Sequence, residues 1–423
     1  MDKNNGAIYD ARKLGKPKMI ILGVQHMFAM FGATILVPIL TGLDISTTLL
    51  MAGLGTLLFH CITKFKVPAF LGSSFAFLGG YAAIKAFSPN DPNSMLPYAC
   101  LGVACAGLIY FILAAVIKAV GIEKVMRFFP PVVTGPIIIA IGLGLAPSAV
   151  SNCTTNWFLA VVALAVIVVF NIWGKGMAKI IPIILGLLIS YGTGLVLYFI
   201  SQANPDLIQN VPWLFSGGAD ANGVYQPIFD FTSLNTICDN ISKGHIFGSE
   251  GLIGIPIHWD KTVFGGIDYS NGALIASSII AIVPIAFATM MEHIGDICAI
   301  SSTTGNNYIK DPGLHRTLVG DGLATTLASL FGGPANTTYG ENTGVLALTR
   351  VYDPRVIRIA AYFAVAVSFF PIVSVIIGSI PSCIIGGISF VLYGMISAIG
   401  VRNVVENKVD FTKSRNLIVA AVI

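Results

Sequence analysis

Apolar runs of about 20 residues recur along the 423-residue chain, separated by short charge clusters and Pro/Gly-rich breaks. A run of that length crosses the hydrocarbon core of a bilayer as an α-helix, so each is a candidate span. Twelve such runs lie at 19–41, 46–62, 68–86, 98–118, 131–148, 157–173, 179–201, 273–294, 314–331, 339–350, 356–377 and 381–400, and a thirteenth begins at Asn416. No small-residue cleavage pattern follows the first run, so it is expected to remain in the mature protein. The closing "NLIVAAVI" is too short for a full span, and the natural chain is expected to continue past Ile423.

Composition agrees with this pattern: 55% of residues are hydrophobic, 10% are charged and the mean hydropathy is +0.83. A soluble domain needs a surface roughly a quarter charged, so the sequence predicts a polytopic α-helical membrane protein. Lys and Arg fix its orientation. With the N-terminus inside, alternation of the spans puts 21 of the 24 basic residues on the inner side and leaves Lys85, Lys243 and Lys261 outside. One missed span would invert every later loop and erase that bias. The expected arrangement is a cytoplasmic tail over 1–18, a multi-pass chain in the cytoplasmic membrane and an ordered external loop over 202–272. The net charge of +4 is then a matter of topology, not of nucleic-acid binding. The seven cysteines show no metal-ligand spacing, and the spans hold no nucleophile and base pair. No enzyme activity, metal or cofactor is expected.

The two halves resemble each other. "VQHMFAMFGA" around His26 matches "ATMMEHIGDI" around His293, and the distances onward to Phe75 and Tyr339 are 49 and 46 residues. "PPVVTGPIIIAIG" and "IPSCIIGGISFVL" form a later matching pair. Seven spans separate the matching helices, an odd number, so the halves are inverted: a first repeat over 19–201 and a second over 273–423. Inverted-repeat transporters hold substrate near the midplane between broken helices. The breaks here are Gly72 to Gly80 and Gly332 to Gly344, where Ser73, Ser74, Asn336, Thr337 and Thr338 suit a lipid-facing helix poorly. Irregular backbone at that depth must be buried in protein or line a cavity, and the two stretches could pair as short strands.

Three acidic residues stand in or beside spans away from a basic cluster: Glu292, Asp296 and Glu341. Intramembrane carboxylates are functional candidates by default, since each costs at least about 2.5 kcal/mol to place there. Glu292 and Asp296 share a helix face, and Asp296 is expected close to the inner interface. His293 points about 100° away and reads as a packing or orienting residue. Carboxylates that accept N–H, helix-start amides that donate to C=O, and the faces of Phe75 and Tyr339 suit a flat cyclic imide. Sugars would call for more Asn, Gln and Trp, and anions for Arg or Lys.

"ENTGVLALTR" (341–350), with "QHMFAMFGATILVP" (25–38), "PAFLGSSFAF" (68–77), "EHIGD" (292–296), "DPGLHR" (311–316) and "TTYGENTGV" (337–345), resembles the nucleobase/ascorbate transporter family, and within it the uracil branch. The resemblance implies fourteen segments in two inverted repeats of seven, core and gate domains, and short antiparallel strands in segments 3 and 10. It implies proton-coupled uptake of uracil by alternating access, with a purine or xanthine permease or an uncoupled facilitator as alternatives. Glu292 and Glu341 would hold the pyrimidine N–H groups, Phe75 and Gly340 would present backbone amides, and Ala33, Tyr339 and Tyr393 would complete the pocket. Asn342, His293 and Ser74 would support these residues by hydrogen bonding. Asp296 stands where one member of the family carries a histidine linked to proton coupling, so the proton falls to Asp296, Glu292 or Glu341. The partners implied are the nucleobase, a proton and membrane lipid, with a homodimer allowed.

Overall fold

The computed structural model of the chain describes residues 7–126, 130–220 and 222–423, apart from the side chains of Ala33, Met126 and Glu341. It is mostly helical. In chain order the principal elements are α1 (Lys16–Thr41), α2 (Ile45–Ile62), β1 (Leu71–Ser73), α3 (Leu78–Lys85), α4 (Leu96–Val120), α5 (Pro131–Cys153), α6 (Trp157–Trp173) and α7 (Pro182–Ala203). They continue with β2 (Ser216–Ala219), β3 (Tyr225–Pro227), α8 (Gly272–Ile282), α9 (Ala286–Thr304), α10 (Leu314–Leu330), β4 (Asn336–Thr338) and α11 (Gly340–Thr349). The last are α12 (Pro354–Ser368), α13 (Pro371–Gly378), α14 (Ser382–Glu406) and α15 (Ser414–Val422). Among the described residues, seven helical stretches are long and apolar enough to cross a membrane, or eight if the bent pair α12 and α13 counts as one.

Local chemistry sets the ends of these helices. Asp44, Asn156 and Asn271 cap α2, α6 and α8 by accepting the backbone N–H three residues on, at 2.8, 3.1 and 3.1 Å. α1 stops at Gly42, whose φ of 86° is a left-handed turn that glycine adopts freely. Two expectations from the apolar runs need correction. The run 356–377 is not one straight span, because the chain bends by 87° between α12 and α13, where Pro371 lacks the N–H a continuous helix needs. The run 273–294 does not end there: a 3₁₀ turn at Val283–Ile285 joins α8 to α9, which continues to Thr304.

The chain forms two compact units, each assembled from distant parts of the sequence. The first comprises Met1–Phe128 and His245–Ser374. Within it α4 crosses α10 at a pair of glycines. A Cβ on Gly107 would stand 2.8 Å from the Gly322 carbonyl oxygen, and one on Gly322 would stand 2.6 Å from that of Gly107. Such backbone-to-backbone approach is how helices associate without a hydrophobic driving force. Gly107→Val is therefore expected to lower stability by about 3 kcal/mol, read as a drop in melting temperature in detergent.

At one end of this unit the segment before α1 is strapped across other elements. Ile8 N–H donates to Arg350 O and Tyr352 N–H to Ile8 O, both at 2.8 Å. The Tyr9 hydroxyl donates to Thr304 O at 2.7 Å, and Ala11 N–H to Asp353 Oδ2 at 2.7 Å. The Arg12 guanidinium, hydrogen-bonded to Asp10, holds that carboxyl down at about 2. Asp353 also caps α12 through Arg355 N–H at 2.9 Å, so Asp353→Ala removes a cap and strands a buried N–H. The expected loss is about 2 kcal/mol, measured by thermal denaturation.

The second unit comprises Phe129–Gly244 and Val375–Ile423. Its spine is α5 running antiparallel to α14. Gly135 faces Gly400, Gly142 faces Tyr393 and Ser397, and Gly386 faces Ala149 and Cys153. Ser397 Oγ donates to Ile139 O at 3.2 Å and Asn403 Nδ2 to Thr134 Oγ1 at 2.9 Å. α6 and α7 pack beside each other, joined by Ser190 Oγ donating to Leu159 O at 2.8 Å. Phe229 and Phe231 stack at 5.2 Å under the β2–β3 hairpin segment.

Candidate functional site

Both sequence breaks lie in the first unit, and there β1 and β4 pair antiparallel, with Leu71 opposite Thr338, Gly72 opposite Thr337 and Ser73 opposite Asn336. Strands of three residues leave most of their backbone groups to be satisfied by neighbours. Threonines of the neighbouring helices α2 and α10 do this work, and the strands' own polar side chains bond to helix carbonyls. Thr56 Oγ1 receives Leu71 N–H at 2.9 Å, and Thr325 Oγ1 donates to Asn336 O at 2.6 Å. Asn336 Nδ2 donates to Met51 O at 3.0 Å, and Ser73 Oγ to Thr34 O at 3.1 Å. Tyr339 is buried across the pair, its hydroxyl donating to Ser73 O at 2.8 Å. Its ring leaves no room at position 72, where a Cβ would meet Tyr339 Cε2 at 2.5 Å and Thr34 Oγ1 at 2.6 Å.

Each strand leads directly into a helix start, β1 into α3 and β4 into α11. Asp296 of α9 reaches the start of α11. Its Oδ2 accepts from Thr338 Oγ1 at 2.8 Å, and its Oδ1 lies 3.8 Å from where a Cβ on Gly340 would stand. A carboxylate is well placed there, because the first turn of a helix presents unpaired N–H groups. Glu292 stands one turn earlier on α9 and is exposed. Behind Asp296 the polar contacts continue inward. Thr338 Oγ1 lies 3.5 Å from His293 Nδ1, and His293 Nδ1 lies 3.3 Å from Asp321 Oδ2. His293 and Asp321 are fully buried, and Phe59 packs edge-on against the imidazole at 6.2 Å. Asp321 accepts no well-formed hydrogen bond among the described residues, so His293 is its ion-pair-range neighbour. The result is a line of groups from the start of α11 into the unit: Asp296, Thr338, His293, Asp321.

Of the residues singled out from sequence, Glu292, Asp296, His293, Tyr339 and Gly340 gather around this strand pair and the start of α11. Phe75 is half-buried just past β1 and its carbonyl accepts Leu78 N–H at 3.1 Å, opening α3. Ser74 is buried, with its backbone N–H on Ala335 O at 2.8 Å. Asn342 is buried in the first turn of α11, and its amide makes no hydrogen bond among the described residues. The side chains of Glu341 and Ala33 lie outside the described residues. Tyr393 is buried on α14 of the second unit. α9 runs two further turns past Asp296, to Thr304. Asp321 was missed. It sits between two glycines inside the run 314–331, the same placement that marked the other acids. Among the described residues no three His, Cys, Asp or Glu side chains converge as a metal site would require.

Comparison with known proteins gives the family and the fold. Residues 17–423 match the family model Xan_ur_permease, described as a permease family. The chain is 39% identical over 415 residues to the uracil permease of Bacillus caldolyticus, covering 96% of this chain and 83% of that protein. It is 38% identical over 417 residues to the uracil permease of Bacillus subtilis (strain 168), covering 96% and 84%. In fold it is similar to the transmembrane domain of a cyanobacterium bicarbonate transporter, BicA, with a TM-score of 0.62 at 13% identity over 98% of this chain and 99% of that one. Such low identity speaks for the fold alone. With a family match across nearly its whole length and relatives that are transporters, not enzymes, this multi-pass membrane chain belongs to the Xan_ur_permease permease family.

Proposed function

We propose that this chain carries uracil inward across the cytoplasmic membrane together with a proton, by alternating access. The observation that carries the reading is the strand pair β1–β4 with a carboxylate, Asp296, at the start of α11 and Glu292 one turn away. A planar imide offers alternating N–H and C=O groups. Glu292 and Glu341 accept its N–H groups, while the amides of Phe75 and Gly340 donate to its carbonyls. Ala33 and Tyr339 complete the pocket, backed by Asn342, His293 and Ser74. The uracil permeases among the relatives support this choice of base.

In this reading the first unit is the core domain and the second the gate, within fourteen segments in two inverted repeats whose segments 3 and 10 hold β1 and β4. The N-terminus is cytoplasmic, and the chain functions alone or as a homodimer. The proton is taken up at Asp296, Glu292 or Glu341, and the line through Thr338 to His293 and Asp321 supplies further groups that can exchange it. Binding the base takes these carboxylates out of water, and neutralising one of them lowers that desolvation cost, so protonation favours loading and the loaded protein then opens inward.

Identity of the base is tested by thermal shift of the purified protein in detergent with uracil, thymine, fluorouracil and xanthine. Uracil and fluorouracil are expected to stabilise it and xanthine to have no effect. Stabilisation by xanthine and not by uracil would reassign the substrate to purines.

A further inference from the structure

A second site lies away from the strand pair, where two spans of the first unit end. α4 is 25 residues long and apolar until Lys118 near its last turn, and α10 begins at Leu314 after the turn over 309–313. Between these ends is a cavity of about 270 Å³. Its charged lining is all basic: Lys118, Lys310 and His315. Its apolar lining includes Ile117, Ile122 and Leu314.

Among the described residues no carboxylate answers that charge. Among the described residues neither Lys118 nor Lys310 forms an ion pair, and Asp311, next to Lys310 in sequence, is taken by Lys66 at 2.6 Å. Glu123 lies nearby on the short helix that follows α4, exposed and outside the cavity lining. Two unpaired ammonium groups and an imidazole over an apolar floor, at the depth where a membrane helix gives way to water, match a phosphate joined to a glycerol and acyl chains. A free phosphate would use the basic groups and leave the isoleucines wet.

We propose that this cavity binds the phosphate headgroup of an anionic phospholipid, which braces the end of α4 against the start of α10. The inference needs the chain to be a membrane protein and is independent of which nucleobase it carries.

The test uses the full chain, delipidated in detergent, with phosphatidylglycerol, phosphatidylcholine or inorganic phosphate added, read by native mass spectrometry and thermal shift. Phosphatidylglycerol is expected to bind and raise the melting temperature, phosphatidylcholine to do neither, and inorganic phosphate at equal concentration to leave the temperature unchanged. The variant Lys118→Gln/Lys310→Gln should bind phosphatidylglycerol about 25-fold more weakly, at about 1 kcal/mol per lysine, while the Arg/Arg variant at these positions keeps it. Both lysines are exposed, so neither variant threatens folding. Equal stabilisation of wild type and the Gln variant, equal stabilisation by phosphatidylcholine, or a phosphate effect matching the lipid would each overturn the proposal.

Discussion

Replacing Glu292 by Gln is expected to lower uracil uptake about 100-fold while leaving expression and melting temperature unchanged. Glu292 is exposed on α9, one turn before the Asp296 that reaches the start of α11, and the Gln side chain fits the same space. Gln keeps its length and shape but loses the charge that strengthens an accepted N–H bond. A hydrogen bond to a charged group contributes about 1.5–3 kcal/mol, which corresponds to roughly one to two orders of magnitude in affinity. The loss should appear in KM for uracil and in the failure of uracil to stabilise the variant. Undiminished uptake by Glu292→Gln would place the binding site elsewhere.

Gly72→Val should abolish transport through geometry alone. A Cβ there would meet the Tyr339 ring at 2.5 and 2.7 Å and Thr34 Oγ1 at 2.6 Å, so Tyr339 must move. Tyr339 cannot swing aside cheaply, because its hydroxyl is bonded to Ser73 O on the same strand. Displacing it breaks that bond and disturbs β4, and with it Thr338 and the Asp296 contact at the start of α11. Overpacking of this kind costs about 1–3 kcal/mol in stability, less than the effect expected on transport. Uptake by folded, monodisperse Gly72→Val at near wild-type rates would show that the Gly72–Tyr339 packing is irrelevant to the site.

Run length made the long apolar helices legible in the sequence, because the length needed to cross a bilayer is set by the bilayer and not by tertiary contacts. The two breaks were legible for a different reason: Pro68, Gly72, Pro334 and Gly340 interrupt helix, and Ser73, Asn336 and Thr338 have no business facing lipid. Hydropathy has no direction, however, so the apolar run through Phe370 and Pro371 concealed an 87° bend. It also stopped at the polar cluster Glu292 to Asp296, although α9 continues to Thr304 with the Asp296 carboxylate held by Thr338. The pairing of Asp321 with His293 was hidden by their distance in sequence, since the two come within 3.3 Å only once α9 and α10 pack together. The division into two units, each drawing on both halves of the chain, leaves no mark on local pattern.

The claim that proton movement drives this transporter is tested most directly by uptake of labelled uracil into proteoliposomes under an imposed pH step. With the outside acidic relative to the lumen, uracil is expected to accumulate above its external concentration, and a protonophore should collapse that gradient to equilibrium. Uptake that only equilibrates, at the same rate whatever the pH step, would contradict the account.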